Sequence, residues 1–238
     1  MQQKSNKQPE SPKEWVPPTL KSGGGGLTVI GQIGQSLDGQ VATATGESKY
    51  INGPGGLLHL HRLRAWADVL VVGAGTVLAD DPQLTVRLLQ GRHPARLVID
   101  PSGRVPATAR VFTNSDAARF VMTRTGVSGS GLNPVADHVC LDADEQGNLS
   151  PAAILRWVSE QGWHKVLIEG GPLTLSRFMN VGLVDYLHLI TSSVLLGSGK
   201  AGVSFPAAPS LSKAQRFSAC SYWLDDDLLI ECALKSGQ

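Results

Sequence analysis

The chain has 238 residues, a formal net charge of +1, and 42% hydrophobic but only 5% aromatic residues. That length supports one substantial core or two small ones. The aliphatic bias suits strands buried on both faces, and near-neutral charge gives no broad basic field for nucleic acid. No apolar run reaches membrane-spanning length. The scattered cysteines Cys140, Cys220 and Cys232 form no CxxC pair and lie near no HxE motif, so no metal centre is expected and reduced thiols in a cytoplasmic protein are.

Residues 1–26 have little to bury and end in four glycines, which predicts a disordered arm with a flexible joint before a domain over 27–238. Residues 27–34 read as a first strand, and Ser36-Leu-Asp-Gly39 as a turn in which Gly39 permits positive φ. Residues 54–67 predict a helix, with Leu57, Leu60, Leu63 and Ala67 on one face and His59 and Arg62 mostly elsewhere. His59 and His61 stand two apart, on different sides of that helix, and read as structural rather than as a metal pair.

Strands follow at 69–72, 96–100, 119–123 and 138–141. Ser150 is a plausible N-cap for a helix over 151–161. A strand at 165–169 runs into Gly170-Gly171-Pro172, a helix over 173–181 closes at Gly182, and another strand covers 184–191. Residues 216–224 and 227–234 flank an Asp-rich turn as a terminal antiparallel hairpin. Alternating strands and helices predict an α/β three-layer sandwich with a mainly parallel central sheet and antiparallel strands at one edge.

In such a sheet three turns meet at the carboxyl edge: 73–76, 100–103 and 169–172. Gly73-Ala-Gly75-Thr76 alone is most often a tight turn, and Glu169-Gly170-Gly171-Pro172 alone a strand-to-helix junction with a solvated acid. Together they offer backbone N–H groups and a helix N-terminus to a pyrophosphate, without a GxGxxG fingerprint. Arg64 and Arg87 are candidate anion clamps, since guanidinium binds phosphate bidentately.

The motifs Ser36-Leu-Asp-Gly39, Ala79-Asp-Asp-Pro82, Leu84-Thr-Val-Arg87, Glu169-Gly-Gly-Pro172 and Leu195-Leu-Gly197 occur in order, with Gly46-Glu-Ser48, Gly75-Thr-Val77 and Gly182-Leu-Val-Asp185 between them. The set resembles the reductase domain of bacterial bifunctional riboflavin-biosynthesis deaminase–reductases, over about 27–234. The resemblance implies a dihydrofolate-reductase-like fold, usually dimeric. It also implies NADPH-dependent reduction of 5-amino-6-(5-phosphoribosylamino)uracil, with hydride going to C1′ of the ribosyl group. By position it assigns Gly34, Tyr50, Gly75, Thr76, Asp80, Ser102, Gly170, Gly171, Pro172, Leu173 and Thr174 to the cofactor. It assigns Ser48, Arg64, Leu84, Arg87 and Glu169 to the substrate, with Asp80 and Glu169 the catalytic candidates.

This chain departs from the pattern where Gln32 replaces a usual Lys, Tyr50 a usual Trp, and Pro101 follows Asp100. It also carries no zinc-deaminase signature, so deaminated substrate is expected to come from elsewhere. A related pterin or carbonyl substrate, or a nucleotide-binding protein without turnover, are the alternatives that Gln32 raises.

Overall fold

The computed structural model describes residues 18–21, 26–49, 51–127 and 133–235. Nine strands form one sheet in the order β10-β11-β8-β1-β7-β3-β4-β5-β6, and β2 (Gln40–Thr43) pairs with β9 (Gly199–Ala201) in a separate ribbon. The centre consists of β1 (Thr28–Gln35), β7 (Lys165–Glu169), β3 (Val69–Gly73) and β4 (Ala95–Ile99), all parallel. The sheet continues in parallel through β5 (Arg119–Arg124) and β6 (Asp137–Leu141) on one side and β8 (Tyr186–Thr191) on the other. The hairpin of β10 (Ser218–Leu224) and β11 (Asp227–Ala233) adds the antiparallel edge.

Strand alternation sorts the core into two layers. Val69, Val71, Val166 and Ile168 face Ile154, Leu155 and Val158 of α4 (Pro151–Glu160) and Leu175, Phe178 and Met179 of α5 (Pro172–Asn180). Ile30, Leu70, Val72 and Leu167 face Leu63 of α2 (Pro54–Trp66) and Val77 of α3 (Ala74–Asp80). The four β3 side chains 69–72 are fully buried. At roughly 1.5–3 kcal/mol each, they fix β3 as a central strand and place the turn after it in the middle of the carboxyl edge. This is the predicted three-layer α/β architecture, and the ribbon β2–β9 is an addition to it.

Two expectations are corrected. Pro18–Lys21 form a single helical turn, α1, in which the Thr19 side chain is buried, so this part of residues 1–26 packs on the domain. Residues 1–17 and 22–25 of the expected arm lie outside the described residues. On α2 the buried positions are Gly55, Gly56, His59, His61, Leu63 and Arg64, while Leu57 and Leu60 are only half-buried. The helix face turned to the sheet is polar because the strands beneath it are polar there. Glu231, His188, Gln32 and Glu169 stand side by side across β11, β8, β1 and β7.

Candidate functional site at the carboxyl edge of the sheet

β3 and β7 are hydrogen-bonded neighbours, so the turns that end them emerge together. The Gly171 N–H donates to Thr76 Oγ1 at 2.8 Å, which ties the two turns directly. The glycines are needed for this approach. A Cβ on Gly73 would fall 2.2 Å from Thr174 Oγ1, and one on Gly171 would fall 2.5 Å from Thr76 Oγ1. Gly170 has φ +84, a left-handed conformation that a side chain would strain.

These residues fit a dinucleotide. A Cβ on Gly75 would meet nothing within 4 Å, so its backbone borders open space. Gly171 caps α5 without a side-chain hydrogen bond, and Pro172 occupies the first turn. The N–H groups of Leu173 and Thr174 therefore begin a helix with no acidic residue in its first turn and no side-chain cap among the described residues.

Of the remaining positions assigned to the cofactor, Ser102 lies exposed in the turn after β4. That turn folds on itself, with the Val105 N–H donating to Asp100 Oδ2 at 2.7 Å. Gly34 is packed against Asn52, whose Oδ1 would be 1.8 Å from an added Cβ. Tyr50 lies outside the described residues.

The acids and arginines assemble beside this edge. Glu169 ends β7 on the α2 face, and Arg64 of α2 meets it with two donors: Nε to Oε2 at 2.8 Å and Nη2 to Oε1. Arg64 Nη1 donates to the Thr85 carbonyl at 3.0 Å. Both partners are at least nine-tenths buried. Burying such a pair is roughly neutral for stability compared with apolar packing. The two candidate anion clamps, Arg64 and Arg87, therefore differ in their surroundings. Arg64 is bound to the protein, and Arg87 is the exposed guanidinium.

Arg87 is held at both ends. Its Nη1 donates to Thr85 Oγ1 at 3.0 Å, and its main-chain N–H donates to His61 Nδ1 at 2.8 Å. Burial, with help from Arg64 and Arg87, lowers the His61 pKa to about 4. His61 is thus a neutral acceptor at pH 7. Ser48 and Asp80 also meet, the hydroxyl donating to Asp80 Oδ1 at 2.9 Å. Leu84, also assigned to the substrate, lies in the same loop as Thr85 and Arg87. Its side chain is buried in the α2-side core and its φ is +55, so it can present only main chain to a ligand.

Residue types alone did not reveal Thr85, His61 and Asn52. The signal for His61 was its place one helical turn before Arg64, a spacing that also fits plain packing. The Ser36-Leu-Asp-Gly39 motif has a clear local task. Asp38 accepts from Ser36 Oγ at 2.6 Å, from the Leu196 N–H at 3.1 Å and from the Gly197 N–H at 2.7 Å. It clasps Leu195-Leu-Gly197 to the end of β1, and the Ser36 hydrogen bond, the largest contributor, lowers its pKa.

Fold and site together define an open α/β protein in which two glycine turns meet beside a buried Arg–Glu pair at the carboxyl edge of its parallel strands. Residues 27–223 match the family model described as the RibD C-terminal domain, and the chain belongs to that family. It is 33% identical over 186 residues to the riboflavin biosynthesis protein RibD of Mycobacterium tuberculosis, covering 76% of this chain and 47% of that protein. The chain thus spans about half the length of the first such relatives. A 2,5-diamino-6-ribosylamino-4(3H)-pyrimidinone 5′-phosphate reductase of Methanothermobacter thermautotrophicus is 29% identical, with 87% of this chain and 98% of that protein aligned. The Thermotoga maritima deaminase/reductase structure superposes with TM-score 0.75 at 28% identity, over 88% of this chain and 57% of that one. The architecture is accordingly dihydrofolate-reductase-like, as in the reductase domains of these relatives.

Proposed function

We propose that the chain is an NADPH-dependent oxidoreductase that reduces 5-amino-6-(5-phosphoribosylamino)uracil to its ribitylamino product in riboflavin biosynthesis. The observation that carries this reading is the Gly171–Thr76 hydrogen bond, which joins both glycine turns beside the buried Arg64–Glu169 pair. Family membership supports it. So do the names of relatives that act on phosphorylated ribosylaminopyrimidines.

The cofactor, when bound, supplies the hydride. The open-chain form of the ribosylamine presents an imine carbon at C1′; hydride adds there and a proton goes to nitrogen. The chain's part is to align that carbon and to meet the charges. The Gly75 and Gly170 backbone and the α5 N-terminus at Leu173 and Thr174 would hold the pyrophosphate, with Gly34, Tyr50 and Ser102 bordering the nucleotide. Glu169, oriented by Arg64, accepts hydrogen bonds from the pyrimidine. Ser48, the Leu84 main chain and Arg87 hold the ribosyl phosphate. Asp80 and Glu169 are the carboxylates placed to handle protons.

The protein acts as a cytoplasmic homodimer in this reading, because β10 is an exposed edge strand with Trp223 and Phe217 at its ends. The test is nicotinamide absorbance with both the uracil and the 2,5-diaminopyrimidinone phosphates. Turnover of the uracil compound supports the reading. Preference for the diamino compound moves the substrate to the one named for the archaeal relatives, and inactivity with both removes the reading.

A further inference from the structure

The proposed NADPH site at Gly34 supplies the ligand for this inference, which rests on that reading. Gly34 lies near the end of β1, and its sheet partner on β8 is Ile190. Ile190 pairs in turn with Leu229 of β11, two residues after Asp227. Gly34 and Asp227 thus stand at the same end of the sheet with β8 between them. Asn52 bridges that gap. Its Nδ2 donates to the Ile190 carbonyl at 3.2 Å, and its Oδ1 lies 1.8 Å from where a Gly34 Cβ would be. The next N–H along the chain, that of Gly53, donates to Asp227 Oδ2 at 2.8 Å.

Asp227 is a firm anchor. β10 and β11 turn through only Asp225 and Asp226, with Leu224 paired to Asp227, and Asp227 is buried. Gly53 is the N-cap of α2 and has no side chain to cap with, so the carboxylate from the hairpin takes that place, where negative charge is favourable. Burial raises the Asp227 pKa, and hydrogen bonds from Gly53, Asn52 and Gly56 oppose the rise. Gly55 and Gly56 weaken the helix, yet the close approach needs them. A Cβ on Gly55 would fall 2.3 Å from the Leu224 carbonyl oxygen, and one on Gly56 would fall 2.5 Å from Asp227 Oδ2.

The loop that ends at Gly53 is therefore held at two points, by Ser48 on Asp80 and by Gly53 on Asp227. We propose that Asp227 is a positioning residue for cofactor binding, acting through Asn52, which forms the wall against Gly34. A site held to within a fraction of an ångström needs such support behind it. A helix cap alone would add stability without altering cofactor affinity.

Full-length Asp227→Ala, Asp227→Asn, Asn52→Ala and the Asp227→Ala/Asn52→Ala double variant are compared with the wild type. NADPH affinity is measured by calorimetry, with steady-state kinetics and Tm in parallel. Asp227→Ala should raise the NADPH Kd and KM about tenfold, with kcat at saturating cofactor within about twofold. Asp227→Asn keeps an acceptor for Gly53 and should recover most of the affinity. Asn52→Ala should lose a similar factor, and the double variant no more than the larger single loss, because the two act in series. Asp226→Asn, exposed in the same turn, should change neither Kd nor KM.

A lowered Tm with wild-type Kd in both single variants makes Asp227 a helix cap only and overturns the proposal. Additive losses in the double variant do the same. Should Asp227→Ala not fold, Asn52→Ala decides: a tenfold loss supports the wall and an unchanged Kd overturns it. Lost NADPH affinity in the variants of an enzyme that reduces neither pyrimidine removes the proposed substrate and leaves the anchor standing. Wild-type turnover with unchanged Kd in the variants is the reverse result, and a wild type that binds no NADPH overturns both.

Discussion

Arg64 and Arg87 sit three ångströms from different atoms of the same residue, Thr85, yet they do different work. Truncating Arg64 leaves the Glu169 carboxylate buried without its partner, a loss of about 3–5 kcal/mol. Truncating exposed Arg87 should change stability by less than about 1 kcal/mol. Both Arg64→Ala and Arg87→Ala should lower kcat/KM about tenfold to a hundredfold, by removing a charge-assisted contact worth about 1.5–3 kcal/mol. Denaturant unfolding beside kinetics separates the two roles; equal unfolding midpoints for the two variants would deny the structural pairing of Arg64. At Gly171 an Asp would place its Cβ 2.5 Å from Thr76 Oγ1 and a carboxylate beside the nucleotide's pyrophosphate. Gly171→Asp should weaken NADPH binding at least about tenfold. Unchanged affinity by calorimetry would remove the cofactor from this turn.

At the level of elements, α2 is the informative case. It starts and stops close to where the sequence predicts, yet its buried face is not the leucine stripe. Helical spacing identifies which residues share a side, but it does not say what the sheet offers that side. Here the sheet offers Glu231, His188, Gln32 and Glu169 in register, so α2 turns His59, His61 and Arg64 inward. The glycine turns were legible because close backbone approach leaves a mark in residue type. The Arg64–Glu169 pair was not, because its members are 105 positions apart and either alone reads as a surface charge.

The same face makes the helix sensitive to acid. His59 Nε2 and His188 Nδ1 lie 2.9 Å apart, with the rings stacked and both side chains fully buried. Burial lowers the His188 pKa from 6.5 to about 4, and burial and His188 hold His59 well below its usual value. Between pH 6.5 and 4 the unfolded chain therefore binds more protons than the folded one, so acidification across that window costs stability. Relative to His188→Asn, the wild type should lose up to about 3 kcal/mol between pH 7 and pH 4. The neighbouring Glu231, whose pKa burial raises, opposes this slope and remains in both proteins. A stability difference between wild type and variant that does not change with pH would show that the imidazoles are not buried neutral.

For the molecule as a whole, the parallel order β8-β1-β7-β3-β4 puts β7 between two strands that precede it in sequence. That crossover brings Glu169 and Gly171 against Arg64 and Thr76, and no local signal could place it. Apolar strands alternating with helices nevertheless made the three-layer class readable, because fully buried parallel strands need covering on both faces. At the far edge β10 is largely exposed, with Trp223 in it at 36% exposure and Phe217 just before it at 42%. Pairing this edge with a second copy would cover it, and light scattering should give about twice the 25.2 kDa chain mass. A monomer across micromolar concentrations would leave that edge without its proposed cover.

The central claim is that the joined glycine turns and the Arg64–Glu169 pair align a nicotinamide with C1′ of a phosphoribosylaminopyrimidine. Turnover with NADPH carrying deuterium at the transferring C4 position tests it most directly. The ribitylamino product should carry one deuterium, at C1′, by mass spectrometry and NMR. NADPH oxidation without label at C1′, or no ribityl product at all, would contradict the account.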